Sequence, residues 1–487
     1  NDINSFLWGQ YVVPTEGGVW QKSNWQNIRN INYFMTHYQS VQAAEADVNI
    51  YVAEMRFFRA LEYFNKIQLL GDVPWLEVDL NVDSEELYGP KMKRNQVFQK
   101  IIEDLDFAIQ WLPEAGSEEA NRLNKDIARH VKARFCLNEG THYKYHDELE
   151  YASEAEKWLQ MAATESDKLI TSGRYEIYNT GHPQEDYFNM YRIDDKSDLK
   201  EAVLYVDYKT NIREHNMAAA GREAGCGFSK SFVESFLCSD GLPISLSNKY
   251  LGDETMRKET ANRDPRLKQL ILTNDFPTNV TDDLKDSTFV VNEDEFITQH
   301  CFTGYRPIKG FNPIYSQALY MKSSFDGIAY RYAETLLINA EAKAELNTIT
   351  NADLDRTVNQ LRDRVGMPHL TVNVGFTDPK WPDWGYSLSP VLQEIRRERC
   401  IELAGEGFRF NDLKRWKAGK LLNNVLTYVG KRKPDGNLAI VYPNYTNPDL
   451  SYQAGKSRTW EDKMYLYPIP TGELQRNPQL LPQNPGW

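Results

Sequence analysis

Glu402 and Glu406 stand four residues apart in "IELAGEGFRFNDLKRWKAGK", residues 401–420. Glycoside hydrolysis needs two carboxylates about 5 to 10 Å apart, one protonating the leaving oxygen while the other attacks or activates water. A spacing of four on a helix permits that. The neighbours argue against it. Arg396, Arg397 and Arg399 precede the pair and Arg409 and Arg415 follow it, and a guanidinium beside a carboxylate lowers its pKa, whereas a general acid needs it raised. The acids therefore read as ion-paired and structural. Gly405 and Gly407 flank Glu406 where one helix must end and the next begin, the role glycine plays at a C-cap or tight helix–helix turn.

Other chemistries fare no better. His142 and His146 in "THYKYH" could share a helix face as a metal pair, but no glutamate completes an HExxH pattern, so no metal is expected. There is no GxSxG, no Walker lysine motif and no GxGxxG, hence no sign of a serine nucleophile, a bound nucleotide or a cofactor. The five cysteines, Cys136, Cys226, Cys238, Cys301 and Cys400, include no CxxC and no zinc spacing. Cys226 and Cys238 are near enough to bridge, yet an odd count with Cys400 in a helical pattern favours buried free thiols. Asn279 and Asn444 open glycosylation triplets of a kind common by chance.

Aromatic residues offer a different chemistry. Trp, Tyr and Phe make up 12% of the chain, and Trp8, Tyr11 and Trp20 lie in a Gly- and Pro-containing stretch without helical period. A flat ring stacks on the C–H face of a pyranose while neighbouring Asn, Gln, Arg and Lys bond its hydroxyls. The competing reading is that these rings pack the N-terminal segment onto helices. For Trp25, on a helical stripe, packing is favoured.

The elements that must position these residues are mostly helical. With 487 residues, 41% hydrophobic and 26% charged, the chain can bury a large core, and no apolar run is long enough to span a bilayer. A net charge of −13 argues against nucleic acid or an anionic lipid surface as partner. Residues 1–24 read as loop. Apolar spacings of three and four then predict a helix from Trp25 and a long one marked by Val52, Met55, Phe58, Leu61, Phe64 and Ile67, stopped by Gly71 and Pro74. Further helices are expected at about 94–112, 122–143, 152–172, 328–347, 352–365, 389–404 and 411–420. From Tyr175 to Phe325 the text is loop-rich, with "EAVLYVDY" and "DSTFVVNEDEF" reading as strands. The tail is irregular and Pro-rich. Antiparallel helix pairs of this size suit tetratricopeptide repeats, although no 34-residue self-similarity is evident.

Several strings together resemble the SusD/RagB family of outer-membrane nutrient-binding lipoproteins. These are "AEMRFFRALEYFNKIQLLGDVPW", "ARFCLNEGTHYKYH", "YRYAETLLINAEAKAEL", "IRRERCIELAGEGFRFNDLKRWKAG" and the closing "YPIPTGELQRNPQLLPQNPGW". The resemblance implies a mainly α fold, a single unit over 1–487. Tetratricopeptide-like helix pairs at 25–173 and 326–420 would form a scaffold, with a loop-rich insertion carrying a few short strands at 174–325 and an irregular tail at 421–487. It further implies non-catalytic binding of a neutral glycan, or in some members a peptide, without cofactor. It also implies a TonB-dependent, SusC-like transporter as partner, and lipid anchoring at the surface of a Gram-negative cell. The chain starts at Asn1, so the lipidated cysteine is expected upstream of a trimmed N-terminus. On this reading residues 401–420 form a helix corner in which Arg399, Glu402, Arg409 and Asp412 make an ion-pair network and Trp416 packs. The ligand would meet loops at about 5–24, 207–225 and 300–316, where Trp8, Tyr11, Trp20, Tyr208, Arg213, His215, Asn216, Tyr305 and Arg306 are the candidate contacts.

Overall fold

The computed structural model describes residues 2–119, 121–219, 227–298, 300–440 and 457–487. A Cys226–Cys238 bridge and the Asn444 triplet lie outside the described residues. The chain divides into two compact units: residues 1–165, 413–419 and 460–487 form the first, and 166–412 with 420–459 form the second.

The first unit is built from α1 (Gln26–His37), α2 (Glu45–Leu70), α3 (Arg94–Trp111), α4 (Lys125–Tyr145) and most of α5 (Ala152–Thr171). Successive helices pack on one another, α1 on α2, α2 on α3 and α3 on α4. The buried face of α2 carries Ala53, Phe57, Ala60, Phe64 and Ile67, at alternating spacings of four and three. Phe58, expected on that stripe, is instead 42% exposed; its neighbour Phe57 takes the inward position. Phe64 stacks on Phe135 with centroids 3.6 Å apart, and Phe98 meets Trp158 edge-on at 4.8 Å. The helix stops at Gly71, whose φ of +74° lets its amide reach back to the Ile67 carbonyl. The chain's last segment closes this unit: the Tyr467 amide donates to the Leu69 carbonyl and the Asn484 side chain to that of Leu70. Residues 1–24 are not all loop, since Asp2–Leu7 is a short helix. Buried Phe6 on it packs against Tyr467 and Trp487, and that contact holds a turn too short to stand alone.

In the second unit α6 (Tyr332–Glu345) packs on α7 (Pro390–Glu402). Nearly every side chain of α6 is buried, so it is a central helix and not an amphipathic surface one. The expected helix from Ile328 begins later, because Gly327–Arg331 (β2) pairs antiparallel with Ala202–Val206 (β1). The isoleucine and tyrosine of β2 suit a pleated edge. In "DSTFVVNEDEF" only Ser287–Thr288 is extended, and Glu293–Phe296 is a single tight turn closed by an Asn292–Glu295 capping box. Val429–Arg432 (β3) and Leu438–Ile440 (β4) form a last hairpin. The core gathers Phe236, Leu267, Ile271, Tyr305, Phe311 and Ile401. The fold is mainly α with a few short strands, as the sequence led us to expect. Among the described residues no helix is long and apolar enough to cross a membrane.

Candidate functional site

Glu402 closes α7 in the second unit and Glu406 follows it, both inside a lattice of opposite charges. Glu402 is 0% exposed. Its Oε1 accepts from Arg331 at 2.7 Å and Arg364 at 2.6 Å, and its Oε2 from Arg266 at 3.0 Å. Arg331 also bonds Glu201 and Glu406, and Glu398 holds Arg266 and Arg362. Burial alone would raise the Glu402 carboxyl, but Arg364, Arg331 and Arg266 outweigh it and hold the group well below the usual carboxylate range. For Glu406 burial is likewise outweighed, here by Arg331 and Lys309, and its pKa is lowered. Neither has a proton to give at neutral pH, so neither can serve as the general acid of a hydrolase.

The guanidinium partners are not those the sequence proximity suggested. Arg396 pairs with Glu345, Arg397 with Asp378, and Arg399 with Asp412 at 2.9 Å. Of the expected quartet Arg399 and Asp412 therefore meet, while Glu402 belongs to the separate lattice and Arg409 opens the short helix Arg409–Arg415. Trp416 is fully buried with the Arg415 guanidinium 4.4 Å over its ring. Gly405 and Gly407 both have positive φ, +75° and +84°, where the chain turns after α7.

A different arrangement lies on the same unit at residues 208–217. This loop is pinned to residues 321–326: the His215 amide donates to the Ser323 carbonyl and the Ser323 amide to that of His215. The Met321 amide donates to the Asn216 side-chain oxygen, and the Tyr208 amide to Asp326. Rings assemble on this frame. The His215 ring meets Tyr208 and Phe325 edge-on at 4.5 and 4.6 Å, and the Arg213 guanidinium lies 4.8 Å over Tyr208. Ile212 is exposed on this loop, and Tyr320 and Met321 are exposed on the chain that leads into the pinning segment, Tyr320 with 73% of its surface in solvent. Exposed apolar side chains gathered on a braced polar frame suit a ligand with both faces and hydroxyls. Sequence reading named four of these residues and missed Tyr320, which falls just past the 300–316 stretch.

The remaining candidates are placed elsewhere. Tyr305 is fully buried and its hydroxyl donates to Glu259 at 2.8 Å, so its ring and polar tip are both occupied by the core. Arg306 is half-buried with its guanidinium over Phe311. In the first unit Tyr11 packs edge-on against Phe6 at 4.2 Å and Trp487 at 5.4 Å, while Trp20 meets Trp25 at 5.2 Å; Trp8 is half-buried. His142 and His146 stack at 4.0 Å, but the nitrogens of His146 face Glu148 and the Lys414 carbonyl. Among the described residues no group of three His, Cys, Asp or Glu side chains is placed to hold a metal. Cys136, Cys238 and Cys301 are buried thiols and Cys400 is half-buried.

A sequence model of the SusD family matches residues 170–487. SusD-like protein P2 of Formosa agariphila is 25% identical over 456 residues, which is 91% of this chain and 75% of that protein. Among solved structures, a SusD-like protein from Bacteroides fragilis shares 25% identity at a TM-score of 0.75, the match covering 99% of this chain and 89% of the other. A second B. fragilis structure, described as a SusD-like carbohydrate binding protein, shares 21% identity at a TM-score of 0.72 with the same coverage.

Proposed function

The chain belongs to the SusD family, and from that premise we propose that it binds an oligo- or polysaccharide at a cell surface without altering it and hands it to a TonB-dependent, SusC-like outer-membrane transporter. A lipid on a cysteine upstream of Asn1 would hold it there. The observation that carries the binding reading is the braced surface of Tyr208, Arg213, His215 and Asn216 beside the exposed ring of Tyr320. Rings there can stack on sugar faces while the polar groups around them bond hydroxyls. The carbohydrate binding stated of the B. fragilis structure supports the same class of ligand. Trp8 and Trp20 are further candidate contacts. A largely neutral polymer fits a chain of net charge −13. Each stacked ring contributes on the order of 1 kcal/mol, so a few of them give about micromolar to millimolar affinity.

Isothermal titration against plant, fungal and host polysaccharides, with a reducing-end assay on every mixture, tests this. Binding without new reducing ends is expected. New reducing ends would overturn the non-catalytic reading, and oligopeptides that outcompete every sugar would move the ligand to peptides.

A further inference from the structure

Several guanidinium groups of the second unit are matched to acids, Arg257 to Asp275, Arg331 to Glu402, Arg356 to Asp167, Arg362 to Glu398 and Arg432 to Asp253, while others meet neutral oxygens, Arg192 that of the Asn312 side chain and Arg263 the carbonyls of Glu259, Val233 and Phe236. Arg213 is exposed, and among the described residues no carboxylate lies within ion-pair distance of it. Its sequence neighbour Glu214 is turned to Lys322 and to the Asn211 amide.

Arg213 is nevertheless held in place. Its amide donates to the Lys209 carbonyl and its carbonyl accepts from the Lys209 amide, both at 2.9 Å. Its guanidinium lies 4.8 Å over the Tyr208 ring, which is itself backed by His215. Stacking occupies the flat face of a guanidinium and leaves its in-plane N–H fork open, the geometry that grips a carboxylate with two parallel hydrogen bonds.

We propose, building on the glycan-binding reading, that Arg213 is the subsite for the carboxylate of a uronic acid residue carried by an otherwise neutral glycan. The net charge of −13 would repel a dense polyanion, but exposed charges are screened beyond roughly 8 Å at physiological salt. One carboxylate at contact therefore answers to Arg213, whereas a charge on every ring would not be tolerated.

The test is titration of the wild-type chain, Arg213→Gln and Arg213→Lys with glucuronoxylan, alginate and polygalacturonate, each beside its carboxyl-reduced counterpart, and with neutral laminarin. The wild type should bind glucuronoxylan about tenfold more tightly than its reduced form, the range of a charge-assisted pair of hydrogen bonds. R213Q should bind the native and reduced forms equally, erasing the preference, and R213K should restore only part of it. Equal binding of native and reduced forms, preference for laminarin, or an R213Q variant that keeps the preference would overturn the subsite while leaving glycan binding intact. Silence toward every glycan would overturn the binding reading itself, and the subsite with it.

Discussion

The same residue types, Arg, Glu and Tyr, build two regions of the second unit with opposite outcomes. Around Glu402 each charge faces several of the other sign: three guanidinium groups converge on one carboxylate, and Tyr187 donates to the Glu402 carbonyl at 2.6 Å. The Glu402 carboxylate is met from within and out of solvent, so it has nothing left with which to recognise a ligand. Around Tyr208 the rings are braced from behind by backbone bonds, while Arg213, Ile212 and Tyr320 face water. A density of ionisable side chains thus marks a scaffold where each is paired internally, and a binding surface where the frame is satisfied and the tips are not.

The sharpest way to break this contrast is Glu402→Gln. It removes the charge from beneath Arg331, Arg364 and Arg266 without changing volume, and leaving buried guanidinium groups short of an acid costs about 3–5 kcal/mol. Urea unfolding should show that loss, with glycan affinity of the folded fraction unchanged. Acid should act in the same sense. The Glu402 pKa is lowered in the fold, so its contribution is complete above the ordinary carboxylate value and disappears only as pH falls through the lowered one. Tyr11→Ala ranks next: it empties a place between Phe6 and Trp487 and should cost about 2–4 kcal/mol in thermal unfolding. Tyr320→Ala should do the reverse, leaving the unfolding midpoint within error and weakening glycan binding by about 1 kcal/mol, or roughly fivefold. A variant of Tyr320 that destabilised the fold, or a Glu402 variant that lost only affinity, would invert the comparison.

Local pattern carried most of the scaffold. The stripes of α2 through α5 and the Gly71 stop could be read because each depends on residues within a turn or two. What failed depends on distant partners. Residues 328–331 read as helix because their pairing strand lies more than a hundred residues earlier, at Ala202–Val206. That Glu402 is ionised was legible, yet its partners, Arg266, Arg331 and Arg364, come from remote segments, while the nearby Arg396 and Arg397 reach other acids. The loop aromatics were the least legible: Tyr305 and Tyr320 both lie in stretches without period, and only the fold buries one against Glu259 and exposes the other.

The smallest expected effect probes the brace itself. His215 Nε2 lies 2.9 Å from the Phe325 carbonyl oxygen, so it carries the hydrogen, and Nδ1 lies 3.1 Å from the Met217 amide, so it accepts. That pattern requires the neutral ring. Burial lowers the His215 pKa, the Phe325 carbonyl opposing and Lys196 adding to the fall. Of the other charged groups around this loop, Arg213 is over Tyr208, Glu214 is paired with Lys322, and Asp326 is bonded to the Tyr208 and Lys196 amides. Because the folded value is depressed, the contribution of the brace is fully present above the ordinary histidine pKa of about 6.5 and is lost as pH falls through the folded value. Glycan affinity and hydrogen-exchange protection of the Met217 amide should therefore both hold above about pH 6.5 and decline as pH falls below it, by less than about tenfold because the ring is only half-buried. His215→Gln can still donate to the Phe325 carbonyl but cannot titrate, so its profile should be flat. A wild-type profile equally flat would mean that the open surface, like the buried lattice, does not depend on one tautomer, and the brace would have to be sought in the paired backbone of His215 and Ser323 alone.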